Sequence, residues 1–204
     1  MSAHPLTTFI YETFGQQFGE LLLFGYGEEP SSKHRKVYLT ESDAEGDADR
    51  VIELVSPRPP CRNEPLVLAA LLKLLLRRLS ISHHSHHLEF ESDELLAELG
   101  WEDDISTRRR METAIISYVR LLYDEQPDER PGRRTSSGMG GGYYHLLTGY
   151  IRAAKISLSG GSFAETLNRV DFDSGFIEGL RQDRVHFAGI NFGALNRTDG
   201  EDHN

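Results

Sequence analysis

The chain of 204 residues contains one cysteine, Cys61, and this scarcity excludes two kinds of structure. A single thiol cannot close an intrachain disulfide, and it cannot provide a cysteine-based zinc site. The composition suits a reducing compartment inside the cell, because secreted domains of this size are commonly rich in disulfides. We therefore expect a cytoplasmic protein.

Long apolar runs are also lacking. The most apolar run, residues 66–76, is interrupted by Lys73, and it is much shorter than the roughly 20 residues that span a bilayer. The N-terminus has neither the basic start nor the apolar stretch of a secretory signal. We therefore expect no membrane contact.

A positive net charge is missing as well, and at first this argues against a nucleic-acid partner, because phosphate contacts require local cations. The net charge is −10, yet residues 50–160 hold 15 Lys and Arg against 15 Asp and Glu. The excess acid lies in the flanks, for example in residues 41–49 and 199–202. The neutral middle of the chain, where the basic residues cluster, can still form a cationic surface.

The most informative segment, residues 91–125, predicts two helices joined by a turn. The first starts at Ser92 or Asp93 and ends at Gly100, a natural C-cap. The second begins after Ser106, and its apolar spacing predicts one buried face. That face consists of Met111, Ala114, Ile115, Tyr118, Leu121 and Leu122. The residues left facing outward are Arg109, Thr113, Ser117 and Arg120. This pattern is the outline of a helix-turn-helix, whose second helix offers its N-terminal side chains to a DNA groove.

The remaining patterns predict an α+β fold of the winged-helix type. In chain order we expect strands at 36–40 and 50–56, a buried helix from Pro65 to about Leu79, a loop entering a short strand over 83–91, the two helices, and a flexible basic loop over 127–142 with strands on both sides. Residues 131–142 would be the wing. The expected units are a partly helical N-terminal arm (1–30), the winged-helix domain (31–160), a C-terminal extension packing on it (161–197) and a disordered acidic tail (198–204).

Three consecutive arginines at the start of the second helix require compensation. A cation near a helix N-terminus interacts unfavourably with the macrodipole, typically by about 0.3–1 kcal/mol at exposed sites. DNA could compensate, as could the carboxylates of Glu102, Asp103, Asp104 and Glu112, and we favour DNA. The loop over 127–142 could likewise contact DNA or be a disordered linker. The predicted DNA-binding residues are Thr107, Arg108, Arg109, Arg110, Thr113, Ser117, Arg130, Arg133 and Arg134.

The pattern predicts no catalysis, metal or cofactor. The tract containing His83, His84, His86 and His87 looks like a metal cluster, but no second set of ligands matches it, so a solvated loop is favoured. The tract departs from the His-hydrophobic-His metal motif of rolling-circle nicking enzymes, because Ser85 occupies the position of the hydrophobic residue. Tyr118 or Tyr123 would then be the nucleophile, although both fall on a segment that otherwise looks structural. We expect Trp101 to plug the core between helices rather than to stack on bases.

Several segments together resemble the plasmid replication initiator protein A family. In chain order they are LLLFGYG (21–27), VSPRP (55–59), LVLAALLKLLL (66–76), ELLAELGW (94–101), TRRRMETAIISYV (107–119), YYHLLTGYIRAAKIS (143–157) and VDFDSGFIEGLRQDRVHFAGINFGAL (170–195). The resemblance implies the N-terminal winged-helix domain of an initiator that binds repeated origin sequences and often dimerises. Such initiators usually continue into a second winged helix, where this chain stops.

Two functions from different classes follow from these patterns. The first is sequence-specific binding of double-stranded DNA with origin repeats, as a homodimeric plasmid-type replication initiator or its regulator. The alternative is a winged-helix module for protein–protein interaction or dimerisation, which the net charge of −10 favours because acidic flanks repel DNA.

Overall fold

The computed structural model describes residues 4–29, 34–43, 46–79, 86–127, 142–154, 166–181, 186–187 and 190–191. The helices are α1 (Pro5–Phe14), α2 (Gln16–Leu22), α3 (Pro65–Leu79), α4 (Ser92–Leu99), α5 (Ile105–Val119) and α6 (Ser174–Arg181). The strands are β1 (His34–Asp43), β2 (Gly46–Val55), β3 (His87–Glu91), β4 (Leu122–Pro127), β5 (Gly142–Tyr144), β6 (Leu147–Ala154), β7 (Thr166–Phe172), β8 (His186–Phe187) and β9 (Ile190–Asn191). The fold mixes helices with small antiparallel sheets, which confirms the α+β expectation.

Helix α3 lies at the centre of the core, with the bounds that the sequence predicts. Its residues are apolar on nearly every side, and it packs against α1 and α2 as well as α4 and α5. Leucines such as Leu68, Leu71 and Leu72 are fully buried. Each buried leucine contributes about 1.5–3 kcal/mol relative to an exposed one, so this helix supplies much of the stability.

The N-terminal segment, expected to be a partly helical arm, forms α1 and α2 and packs into the same core. Phe14 and Phe18 are buried and meet edge to face, with ring centroids 5.6 Å apart. Gly19 lies against the ring of Tyr11, where an added Cβ would come within 2.4 Å. The two helices therefore cross closely because position 19 has no side chain.

The segment that follows α2 pairs through its backbone with the segment that precedes α3. Tyr26 and Arg62 form an isolated parallel bridge, and Gly25 approaches Pro60 so closely that an added Cβ would lie 2.1 Å from its carbonyl oxygen. Gly25 also has a φ of 81°, in the region that favours glycine. The contact fastens the end of α2 to the segment that leads into α3.

The described strands form a four-stranded antiparallel sheet, a three-stranded antiparallel sheet and a two-stranded pair. The first has the order β1-β2-β4-β5, and its β1–β2 hairpin matches the two strands that the sequence predicts around the acidic connection. Strands β4 and β5, which flank the loop expected to be the wing, pair within this sheet. Residues 128–141 of that loop lie outside the described residues.

The three-stranded sheet has the order β3-β7-β6, so the strand before α4 pairs with a hairpin that lies after the basic loop. The strands on either side of residues 131–142, β4 and β5, therefore belong to a different sheet from β3. Strand β7, placed by the sequence analysis in a C-terminal extension, is the central strand of the three-stranded sheet. The boundaries at residues 30, 160 and 197 stay predictions, and the tail 198–204 lies outside the described residues.

No helix in the described ranges is both long and apolar enough to cross a membrane.

The two positive-φ glycines after α2 allow a matched test of the backbone contact. Gly25→Ala and Gly27→Ala both place a side chain at a φ that L residues adopt with strain of about 1–2 kcal/mol. Position 27 has open space around its Cβ, whereas position 25 also meets the carbonyl of Pro60. We expect urea unfolding to show Gly25→Ala as the less stable variant by a further ~1–3 kcal/mol. Equal stability of the two variants would contradict the contact.

Candidate nucleic-acid interface

The turn between α4 and α5 is fixed by caps on both helices. Gly100 ends α4 in the left-handed conformation with a φ of 66°, as the sequence predicts. Asp104 caps α5, and its carboxylate accepts a hydrogen bond from the backbone N–H of Thr107 at 2.8 Å. That bond is the main cause of the lowered pKa of Asp104.

Helix α5 starts at Ile105, two residues earlier than expected, so the three arginines are its fourth to sixth residues. The macrodipole acts mainly within the first turn, and the capping carboxylate already compensates it there. The three arginines therefore need less compensation at the helix end than the sequence predicts. Thr107 is half-buried and its N–H is occupied by Asp104, which leaves little of this residue for a partner.

Arg108 forms a two-pronged ion pair with Asp103. Its Nε lies 2.5 Å from Oδ1, and its second guanidinium nitrogen lies 2.6 Å from Oδ2. The hydrogen bond from Arg108 is the main cause of the lowered pKa of Asp103. Both side chains are partly exposed, so solvent screens the pair. In this structure the counter-charge of Arg108 is therefore the nearby carboxylate of Asp103 and not DNA.

Arg109 and Arg110 have no carboxylate partner among the described residues, and both are exposed. The guanidinium carbon of Arg110 lies over the ring of Trp101, 4.5 Å from its centroid, which is a cation–π contact. Trp101 itself is half-buried and packs at the rim of the hydrophobic core. The two arginines therefore keep their full charge available on the surface.

The outward face of α5 also presents apolar and hydroxyl groups. Ile105 is 73% exposed and Ile116 is 38% exposed. Thr113 lies on the same face, and its hydroxyl donates to the carbonyl of Arg109 at 2.7 Å. Arg120, the C-cap, is exposed at the end of the face.

The only acidic residue of α5, Glu112, lies at the edge of this face and is paired. Its Oε1 lies 2.8 Å from a guanidinium nitrogen of Arg152 on β6. The pair neutralises the carboxylate and also joins α5 to the three-stranded sheet. In the described structure the charges left on the outward face of α5 itself are therefore positive.

The expectation that Ser117 faces outward is wrong, because this residue is only 4% exposed. Its hydroxyl accepts a hydrogen bond from Arg58 at 2.6 Å and donates one to the carbonyl of Thr113 at 2.9 Å. Arg58 belongs to the proline-rich segment 56–62, which covers this side of the helix. Ser117 therefore fastens α5 to that segment and is not available to a DNA partner.

Glu64 anchors the same segment from the other side. Its carboxylate is 6% exposed and accepts from both guanidinium nitrogens of Arg58, at 2.5 and 3.3 Å, and from the backbone N–H of Cys61 at 3.1 Å. Burial, followed by the charge of Glu64, raises the pKa of the Cys61 thiol. We call Arg58, Glu64 and Ser117 the α5 clamp. It covers the side of α5 on which Ser117 lies, in the C-terminal half of the helix, and leaves the N-terminal half open.

A second buried hydrogen-bond chain holds α4 on the three-stranded sheet. Asn168 of β7 is fully buried, and its side-chain amide donates to the hydroxyl of Ser92 at 3.0 Å. The hydroxyl of Tyr150 donates to the amide oxygen of Asn168 at 2.8 Å. Burial raises the pKa of Tyr150 to about 12. Neither the clamp nor this chain is predicted from the sequence, although Asn168 alternates with Val170 and Phe172, and a polar residue on the apolar face of a strand is a usable signal.

The other candidate residues divide between the described and undescribed parts of the chain. Arg130, Arg133 and Arg134 lie outside the described residues, as do His83 and His84. His86 and His87 are described, and no group of three potential metal ligands is found in the described part of the chain. The tyrosines considered as nucleophiles, Tyr118 and Tyr123, are buried. Tyr118 donates to the carbonyl of Leu22 at 3.2 Å, and so joins α5 to α2.

No protein-family model matches the sequence, and no curated protein matches it significantly. Two solved structures of domains 2 and 3 of RctB, a replication initiator of Vibrio chromosome II, are similar in fold. The first has a TM-score of 0.54 and 19% identity over 80% of this chain and 61% of that chain. The second has a TM-score of 0.52 and 17% identity over 82% of this chain and 61% of that chain. The chain thus spans about three fifths of the RctB chains that it matches. At these identities the likeness shows a shared fold.

The α5 clamp can be tested with one substitution at two sites. Glu64→Gln removes a buried carboxylate from Arg58, and we expect a loss of about 1–3 kcal/mol in the free energy of unfolding, typical of a charged hydrogen bond. Glu29→Gln makes the same change in the exposed pair with Arg62, which solvent screens. We expect that variant to unfold at the urea midpoint of the wild type. A clamp without structural importance would give equal midpoints for both variants.

Proposed function

We propose that α3, β3, α4, α5 and the β6–β7 hairpin form a winged helix. A winged helix places a helix, a strand, two helices and a hairpin in this order, and joins the first strand to the hairpin in one antiparallel sheet. The pairing order β3-β7-β6 supports this assignment, as does the packing of α5 on β6. In this proposal α5 is the recognition helix, and the wing is the β6–β7 hairpin rather than residues 131–142.

The proposed function is binding of double-stranded DNA through the N-terminal half of α5. The observation that supports it best is the open position of Arg109 and Arg110, which are exposed and carry no carboxylate partner in the described structure. Recognition helices contact base edges with their N-terminal residues, and that is the half the clamp leaves open. Arginine can pair with a guanine edge or with phosphate, and the exposed Ile105 can contact a thymine methyl group.

Acidic residues limit where phosphate can approach. Glu102, Asp103 and Asp104 precede α5, and the carboxylate of Asp104 occupies an N–H that could otherwise bind an anion. The extreme end of α5 is therefore a poor phosphate site. The proposed contacts come instead from Arg109, Arg110 and Thr113, with Arg108 contributing if DNA displaces Asp103.

The biological role that we propose is initiation of replication at repeated origin sequences, or its regulation, by a cytoplasmic homodimer of plasmid type. The motif resemblance to plasmid initiators supports this role, and so does the fold likeness to RctB. The proposal includes no catalytic step, metal or cofactor. Arg130, Arg133 and Arg134 remain candidate DNA contacts on sequence grounds alone.

A protein-interaction module is the second candidate. Two large apolar side chains, Ile105 at 73% and Ile151 at 53%, are exposed, and the net charge of −10 opposes DNA. A titration of random-sequence duplex in about 50 mM salt separates the two functions, because DNA-binding proteins bind non-specifically with Kd near 10⁻⁴–10⁻⁶ M even at physiological salt. Absence of binding at micromolar protein would favour the interaction module.

The arginines of α5 provide the test of the DNA-binding surface. We expect Arg109→Ala and Arg110→Ala each to weaken binding to a random-sequence duplex in fluorescence anisotropy. Each lost phosphate contact also makes the negative slope of log K against log salt shallower by about 1. Arg77→Ala removes the same charge from α3, where Arg77 pairs with Glu98, and so serves as the matched control. If the α5 variants bind with the affinity and salt slope of the control, the recognition-helix assignment is wrong.

A further inference from the structure

Trp101 is the only tryptophan of the chain, and it lies in the turn that leads into α5. Its backbone is held by the hydrogen bond from its N–H to the carbonyl of Leu96 at 3.0 Å, beside the left-handed Gly100. Its ring packs at the rim of the core, so one side of the indole is anchored. The guanidinium carbon of Arg110 lies over the ring, 4.5 Å from its centroid.

The three neighbouring arginines therefore differ in how they are held. Arg108 is ordered by Asp103, but its charge is neutralised. Arg109 keeps its charge, but no contact in the described structure orders its guanidinium. Arg110 is both ordered and charged, because the contact with Trp101 uses the face of an aromatic ring and not a carboxylate.

This difference matters for recognition of DNA. The five N–H donors of a guanidinium lie in its plane, so a contact with its central carbon can order the group and leave the donors available. Among the described residues no acceptor takes a hydrogen bond from the guanidinium of Arg110. A long side chain that is already ordered loses less rotamer entropy when it binds, which favours two-pronged contacts to a pair of acceptor atoms.

We propose that Trp101 is a positioning residue that orients the guanidinium of Arg110 toward a pair of acceptors on duplex DNA. This inference rests on the proposed DNA-binding function. The acceptors are either two phosphate oxygens or the O6 and N7 atoms of guanine, which share the geometry that a guanidinium matches. Trp101 acts through Arg110 and needs no contact with DNA itself.

A double-mutant cycle tests the coupling between the two residues. Binding of a mixed-sequence duplex is measured for the wild type, Trp101→Leu, Arg110→Ala and the double variant. The entropy lost when one long side chain is immobilised on binding corresponds to about two- to tenfold in an equilibrium constant, and we expect Trp101→Leu to weaken binding by that factor because Arg110 is no longer ordered beforehand. In the Arg110→Ala background we expect the same change to have no effect. Additive losses would overturn the proposal.

Trp101→Phe covers the case in which the leucine variant folds poorly, because it keeps an aromatic face at the core rim. We expect its affinity for the duplex to lie between those of the wild type and Arg110→Ala. The indole of the wild-type protein gives a second readout, since every change in tryptophan fluorescence comes from position 101. We expect DNA to reduce acrylamide quenching in the wild type and Arg109→Ala, and not in Arg110→Ala. Equal protection in all three proteins would contradict the proposal.

Two further comparisons distinguish a guanine acceptor from phosphate, and the positioning role of Trp101 from DNA binding itself. Repeating the cycle on an alternating A·T duplex abolishes the coupling if Arg110 binds guanine, and preserves it if Arg110 binds phosphate. If the wild type binds neither duplex, the DNA-binding function itself is wrong. If the wild type binds and Arg109→Ala weakens binding, but Trp101→Phe and Trp101→Leu bind as the wild type does, only the positioning role is wrong.

Discussion

The attachment of α5 on several sides is the constraint on which the rest of the account depends. Its apolar face packs on α3, Tyr118 reaches the carbonyl of Leu22 on α2, and Glu112 pairs with Arg152 of β6. The clamp formed by Arg58, Glu64 and Ser117 closes a further side over the C-terminal half. These contacts leave one surface open, and they decide which polar residues of the helix can meet a partner.

Charge on that open surface is set by pairing rather than by composition. The chain is acidic as a whole, yet three carboxylates near the exposed arginines are engaged: Asp103 with Arg108, Asp104 with the helix N-terminus, and Glu112 with Arg152. Arg109 and Arg110 are therefore cationic in an acidic protein. This local arrangement answers the objection that the net charge of −10 raises against a DNA partner, because phosphate responds to the nearby field and screening weakens distant charges.

The sequence predicted those features that depend on neighbouring residues. The bounds of α3, the end of α4 at Gly100 and the buried stripe from Met111 to Tyr118 follow from periodicity and caps, which are local. The expectation that Leu121 and Leu122 continue this helical face is wrong, because α5 ends at Val119 and Leu122 begins β4. The start of α5 was misplaced by two residues, although Asp104 is itself a favoured N-cap residue. Neither the burial of Ser117 nor the partner of β3 could be predicted, because each depends on a distant segment. Arg58 covers Ser117, and β7 pairs with β3. Helical periodicity shows which face is polar, but it does not show what covers that face.

The fold is similar to that of RctB domains 2 and 3, and the geometry of α5 places two exposed arginines on one of its surfaces. The most direct test of that surface is an NMR titration of the ¹⁵N-labelled protein with a DNA duplex. The account predicts chemical-shift changes concentrated in residues 105–113 and at the side-chain Nε of Arg109 and Arg110, with the clamp residues little affected. Changes confined to the β1-β2-β4-β5 sheet, or to the segment 56–62, would contradict it.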